Sequence, residues 1–288
     1  MKRSFLSKLH RNGLYCIIGA LLLFPGVLLY QLLILIPQGY GDALAAPIAT
    51  LRWISTHDLQ FLAYRLLLML GFALMLSLPF TLFRIIVAQE ILGADEEENE
   101  DIEGDEDNEI DEEGNEKMDE GAAEESNTED DQDSSGMPAY AWRGRGYAVI
   151  AAWGGVLGLL LTVVGTLAST IYLLVVSTSN ILPGNFAAFS GTLAFITYTA
   201  GGGLLAIACL FFGVVIARRG RNLWPDVWVL FSYLALALAA LLSGSAVEVA
   251  YAPNAGNAGQ AVLTTPAILL FAIWVLWFGI MLVRLQPE

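Results

Sequence analysis

Charge is what this sequence has least of: 15% of its 288 residues are Asp, Glu, Lys or Arg, against 56% hydrophobic. Soluble domains carry about 25% charged residues, so this balance excludes an ordinary water-facing surface and indicates a membrane protein. Histidine and cysteine are nearly absent too, with two of each. His10 and His57 fall on opposite sides of the membrane in the topology read below, so they cannot share one haem iron. Cys16 and Cys209 fall inside apolar stretches and read as small buried hydrophobes. No His, Cys and carboxylate cluster has zinc spacing, and no glycine-rich loop leads into Lys-Ser or Lys-Thr. A serine nucleophile would need a base within reach, and the apolar stretches supply no His or Lys. The expectation is a protein that is not an enzyme, with no metal and no cofactor. Nor does any basic patch interleave with exposed aromatics, which excludes nucleic acid as a partner.

Where charge is plentiful it is of one sign. Of 29 acidic residues, 23 lie between Gly93 and Gly136 beside a single Lys117, giving that segment −22; the remainder is 13 basic against 6 acidic, or +7. The segment has no aromatics and little aliphatic content beyond Ile102 and Ile110. It cannot bury enough apolar surface to offset ordering, so residues 93–139 are expected to be a disordered acidic linker. Glu109, Asp111, Glu113, Gly114 and Glu120 approximate the liganding positions of an EF-hand loop, but Glu116 stands where an aliphatic residue belongs and no amphipathic helix flanks them. Diffuse attraction of cations, a basic protein partner, or a solvated spacer between two membrane units are the remaining readings.

Spanning the roughly 30 Å hydrocarbon layer takes about 20 apolar residues in a helix, because lipid offers the backbone no hydrogen-bond partner. Six stretches qualify: about 14–36, 66–83, 148–176, 191–217, 227–247 and 262–283. From Gly146 to Ala217 there are 72 residues without a charge, divided by a break containing Pro183, Gly184 and Asn185. The fold class is therefore all-α and polytopic. Residues 1–92 read as a transmembrane hairpin with an outer interfacial segment at 37–60, and residues 140–288 as a four-helix bundle. Within 37–60, Ile48, Leu51, Ile54 and Leu59 recur at near-helical spacing, the mark of a helix lying on the membrane surface. A secretory signal cleaved after Ala45 is a competing reading, but the first apolar run of 23 residues is longer than the usual 7 to 15 or so of a signal. An aquaporin also has six spans, but would carry Asn-Pro-Ala in two half-helices; here Pro253 precedes Asn254, once, in a loop.

Eleven Lys and Arg residues fall on one side of these spans and only Arg52 and Arg65 on the other. Loops rich in them stay cytoplasmic, so both termini are expected inside, in the cytoplasmic membrane. Arg65 and Arg84 bracket the second span at nineteen steps of about 1.5 Å, roughly the hydrocarbon thickness. They read as anchors that snorkel to opposite interfaces; the competing reading of Arg65 is a buried cation on a substrate path. Trp142, Trp153, Trp224 and Trp228 are expected at the inner interface as an aromatic belt.

Packing signals are the clearest positive content. In the third span Gly154, Gly158, Thr162, Gly165 and Ser169 fall at helical spacing, a small-residue face of the kind that lets helices approach closely in lipid. Its partner is another span of the same bundle, a second copy of the chain, or another membrane subunit. Pro25-Gly26 and Pro79 should kink the first two spans. Gln31, Tyr172, Tyr198 and Tyr233 are the main polar groups in the spans besides Ser and Thr. Membrane lipid is the one partner the composition requires. The leading functional expectation is a non-catalytic accessory, assembly or scaffold protein whose acidic loop meets a basic partner. The alternative is a channel or facilitator for a small neutral solute.

Overall fold

The computed structural model describes residues 3–44, 46–88, 139–179, 182–223, 226–251 and 262–284. The acidic segment and the Pro253-Asn254 loop lie outside them, as do the readings made there. Every regular element among the described residues is helical. Six helices are long and apolar enough to cross a membrane. They are α1 (Ser7–Leu35), α4 (Asp58–Ala88), α5 (Gly146–Ser179), α6 (Phe186–Arg218), α7 (Asp226–Tyr251) and α8 (Thr264–Arg284). Between the first two lie a single turn, α2 (Tyr40–Ala43), and a short helix, α3 (Pro47–Thr56). The protein is an all-α polytopic membrane protein.

Each span packs most extensively on two others, in the order α1, α4, α5, α6, α7, α8 and back to α1. The ring closes where Gly13 of α1 meets Gly279 and Leu282 of α8, with added Cβ atoms coming within 2.8 Å of the facing helix in both directions. These contacts join the start of the first span to the end of the last. We call that end of the bundle terminal and the opposite end, which bears residues 36–57, distal. One apolar core draws on all six spans, including Leu23, Phe72, Leu159, Phe212, Phe231 and Phe278. The hairpin and the four-helix set, two units in the sequence reading, therefore share a single core here. Sequence separation across an acidic linker says nothing about whether two apolar surfaces meet.

The small-residue face finds its partner inside the bundle. A Cβ on Gly158 would lie 2.8 Å from the carbonyl of Gly201 and 2.9 Å from the backbone nitrogen of Leu205, while one on Gly165 would collide with Thr197. Of the three glycines at Gly201 to Gly203, Gly201 makes the close approach of α6 to α5, a Cβ there lying 2.7 Å from Thr162 Oγ1, while Gly202 and Gly203 face open space. Outward, the spans present large apolar side chains such as Leu33, Val175 and Val164, as lipid-facing surfaces require. The prolines leave irregular turns. α1 widens to a π-helix at Leu22–Val27 around Pro25, and α4 tightens to a 3-10 turn at Met75–Ser77 just before Pro79. Both are the expected response of a helix to a residue with no N–H and a ring that crowds the preceding turn.

At the distal end α3 is laid over the bundle by a core of its own. Leu51, Trp53 and Ile54 are buried with Tyr40, Phe61, Leu173 and Phe186. The Trp53 indole donates to the Gln38 carbonyl at 2.8 Å and its ring lies 4.8 Å from that of Tyr40. The surface helix predicted for 37–60 is thus shorter, and Leu59 belongs to α4. His57 interrupts the chain between the two helices and stacks on Trp53 at 4.7 Å.

Candidate functional site

The sequence reading placed Arg65 at the end of a span. α4 begins instead at Asp58, whose carboxylate suits the first turn of a helix, and runs seven residues, roughly 10 Å, before reaching Arg65. Arg65 is 7% exposed. Its guanidinium points into the bundle rather than out to the surface, which corrects the anchoring expectation. Spacing along a helix fixes a residue's height, but its direction depends on which face the neighbouring helices cover. Arg84, by contrast, is exposed.

Around Arg65 stand three tyrosines from three parts of the chain: Tyr64 beside it, Tyr40 from α2 and Tyr198 from α6. The Tyr198 hydroxyl faces the guanidinium closely enough to act on its charge. The guanidinium also lies over the Phe61 ring, 5.2 Å from its centroid, a cation–π distance. The Gln31 amide donates to the Tyr64 hydroxyl at 3.2 Å, tying α1 to α4 beside the site. Burial pushes the Tyr40 hydroxyl above its ordinary range, with the Arg65 charge opposing the shift.

Among the described residues, no carboxylate is found among the groups acting on Arg65. Of the distal acids among the described residues, Asp42 of α2 is exposed to the outside and two others hold backbone groups. Glu248 accepts the backbone N–H groups of Val262 and Leu263 at 2.8 and 3.0 Å, and Asp58 accepts that of Leu59 at 2.8 Å. The distal segments 180–181 and 252–261 contain no acidic residue in the sequence. The Nε–H of Arg65 is buried without a protein acceptor. A buried charge is costly to leave unpaired, so such a group is the candidate site of this fold.

Space for it exists. Three voids of about 80, 40 and 10 Å³ adjoin, and Tyr198 lines all of them. Arg65 lines the first and the last. Toward the terminal end the chamber stops at Phe72 and Phe271, whose rings stack 6.1 Å apart. Beyond them Trp274, Phe231 and Phe278 fill the interior, with Phe231 and Trp274 stacked at 4.8 Å and 10°. Toward the distal end lies the core of Tyr40, Trp53 and Phe61.

The other sequence-predicted residues divide. Gly154, Gly158, Thr162 and Gly165 pack on α6 or lie along it, and Ser169 lines the smallest void together with Arg65 and Ser190. The Trp153 side chain is 56% exposed and meets Phe80 edge to face at 5.7 Å. Trp228 differs from the belt expectation, being buried against Phe231 and Phe278. The Trp142 side chain and all of Trp224 lie outside the described residues. Cys16 and Cys209 are buried and free. Among the described residues no three His, Cys, Asp or Glu groups converge as metal ligands would. Sequence reasoning did not single out Tyr40 or Tyr64 as site residues, and named Tyr198 only as one of the main polar groups in the spans. The signal that could have exposed the site was Asp58 after His57, which starts the helix two turns early and carries Arg65 inside. Comparison with protein-family models, with curated proteins and with solved structures finds no match to this chain.

Proposed function

We propose that this is a non-catalytic membrane accessory protein whose working site is the chamber at Arg65, where it holds a small anion inside the bundle. The observation that carries the reading is a cation 7% exposed beside a void of about 80 Å³, with its Nε–H unpartnered and no carboxylate among the groups acting on it. Tyr198 and Tyr64 offer hydroxyls that turn to suit an anion and Thr166 adds another, while Thr197 and Ser190 donate to the carbonyls of Leu193 and Ala187. With Lys and Arg concentrated at the terminal end, that end is cytoplasmic and the chamber sits in the extracytoplasmic half. The aromatic filling on the terminal side of the chamber favours binding over conduction, so the solute-channel alternative is the weaker one. The acidic linker remains the means by which such a subunit would meet a basic cytoplasmic partner.

The test is ligand-dependent unfolding of the purified protein in neutral detergent, titrated with butyrate and with dodecanoate. A ligand that binds only the folded form stabilises it by about 2.7 kcal/mol at a hundredfold excess over Kd. Stabilisation of the native chain by at least one of these anions, absent in Arg65→Met, is the expected result. Equal stabilisation of both proteins, or none of either by any anion, would refute the anion site.

A further inference from the structure

The terminal end of the bundle is a ring of helix ends held together by contacts between neighbours. The Asn12 amide of α1 donates to the Thr81 hydroxyl of α4 at 2.9 Å, Phe80 of α4 meets Trp153 of α5 at 5.7 Å, and Tyr147 of α5 stacks on Phe211 of α6 at 5.5 Å. Trp228 of α7 lies 6.3 Å from Phe278 of α8, and α8 returns to α1 where Gly279 meets Gly13. Lys8, Arg11, Arg84, Arg218 and Arg284 stand on these ends, all exposed, on four of the six spans. Among the described residues of this end a single acid, Asp226, stands against them. The helix ends thus hold five cations on one rigid face, where they repel one another and attract any anion of sufficient charge.

The chain supplies such an anion at the same place. α4 ends at Ala88 and α5 begins at Gly146, on adjacent spans and both at the terminal end, so residues 93–136 leave the bundle beside this face and return to it. That segment is net −22. As a flexible chain its 44 residues would reach about 35 Å. Neighbouring helix axes lie roughly 8–10 Å apart, so opposite axes of a six-helix ring are roughly 20 Å apart and every cation of the face is within reach. Tethered at both ends, the segment meets the face at an effective concentration on the order of millimolar, an advantage no free partner has. We infer that residues 93–136 dock electrostatically on the bundle's own terminal face, with their carboxylates on Lys8, Arg11, Arg84, Arg218 and Arg284. Docking relieves repulsion within the segment and among the five cations together. Five cations neutralise only part of −22, so a negative surplus is left for the basic cytoplasmic partner proposed above, which competes with this face for the segment. The face lies at the opposite end of the bundle from the residues around Arg65, so it stands whether or not the chamber holds an anion.

The experiment treats the full chain, one copy per phosphatidylcholine nanodisc, with a water-soluble carbodiimide, which joins a carboxylate to an amine in contact with it, and reads the links by peptide mass spectrometry. Lys8 is the native reporter on the face. Arg84→Lys and Arg284→Lys add amines there without changing charge, and Lys117, inside the segment, shows that the reagent has reached it. Links from Lys8 and from the amines at positions 84 and 284 to acids in 93–136 should form in about 0.1 M salt and fall at least about tenfold in about 1 M salt, where the screening length drops from about 10 to about 3 Å. Arg11→Gln with Arg218→Gln, which leaves the Lys8 reporter in place, should lower the Lys8 links severalfold at the lower salt. Links at Lys8 that survive both high salt and the Gln substitutions unchanged would show tethering without attraction and overturn the docking. Absence of links to the face while Lys117 is linked would overturn it as well. Links that form in phosphatidylcholine but vanish when phosphatidylglycerol is added to the disc would give the face to anionic lipid headgroups instead.

Discussion

Replacing Arg65 by methionine separates a site residue from a structural one. Methionine keeps an unbranched stem of similar reach and removes the charge and its donors. Burying arginine at the centre of a span costs about 2.5–3.5 kcal/mol on insertion scales. Against this, the Phe61 ring at 5.2 Å returns about 0.5–2 kcal/mol and polar contact with the surrounding tyrosine hydroxyls about 0.5–1.5 kcal/mol. These terms nearly cancel. Tyr198 is half-buried beside the chamber, so its released hydroxyl has other groups to meet. Arg65→Met should therefore change the stability of the ligand-free protein by no more than about 1 kcal/mol. Breaking a buried ion pair by removing one partner costs about 3–5 kcal/mol instead. Alanine is the wrong substitution, since the cavity it leaves would add a loss unrelated to charge. Reversible unfolding in mixed detergent micelles, with ligand excluded, reads the difference directly. A loss of more than about 3 kcal/mol in Arg65→Met would refute the reasoning, because it would require a buried anionic partner from the chain itself.

Two further outcomes follow from the packing. Gly158→Val should destabilise the bundle by about 1–3 kcal/mol, because its Cβ meets the backbone of Gly201 and Leu205 at 2.8–2.9 Å, whereas Gly203→Ala, with open space at its Cβ, should stay within about 0.5 kcal/mol; thermal unfolding of the two variants side by side checks this. Glu248→Ala should free the N–H groups of Val262 and Leu263, costing about 1 kcal/mol locally, and hydrogen exchange at the start of α8 should rise while exchange in α5 stays unchanged.

All six spans were legible in order, and the physical reason is that a bilayer demands long apolar helices whatever their neighbours. The small-residue run of α5 was legible as a contact face, because its spacing alone puts Gly154, Gly158, Thr162 and Gly165 on one side of a helix. Its partner was not, since glycine permits close approach without specifying to what. Arg65 shows the limit most plainly: charge-free counting stopped the second span at the arginine, although Asp58 marks an earlier helix start.

What the sequence determined by itself was the membrane class, the number of spans, the irregular turns beside Pro25 and Pro79, and the absence of acidic residues from the distal segments 180–181 and 252–261. Each is set by local composition or by the covalent chemistry of one residue. Only the tertiary structure decided that the two N-terminal spans close a ring with the other four. It also decided that Arg65, Tyr40, Tyr64 and Tyr198 converge. Those facts depend on which faces of distant helices meet, and residues 40, 65 and 198 are brought together by packing across the bundle rather than by any spacing along the chain.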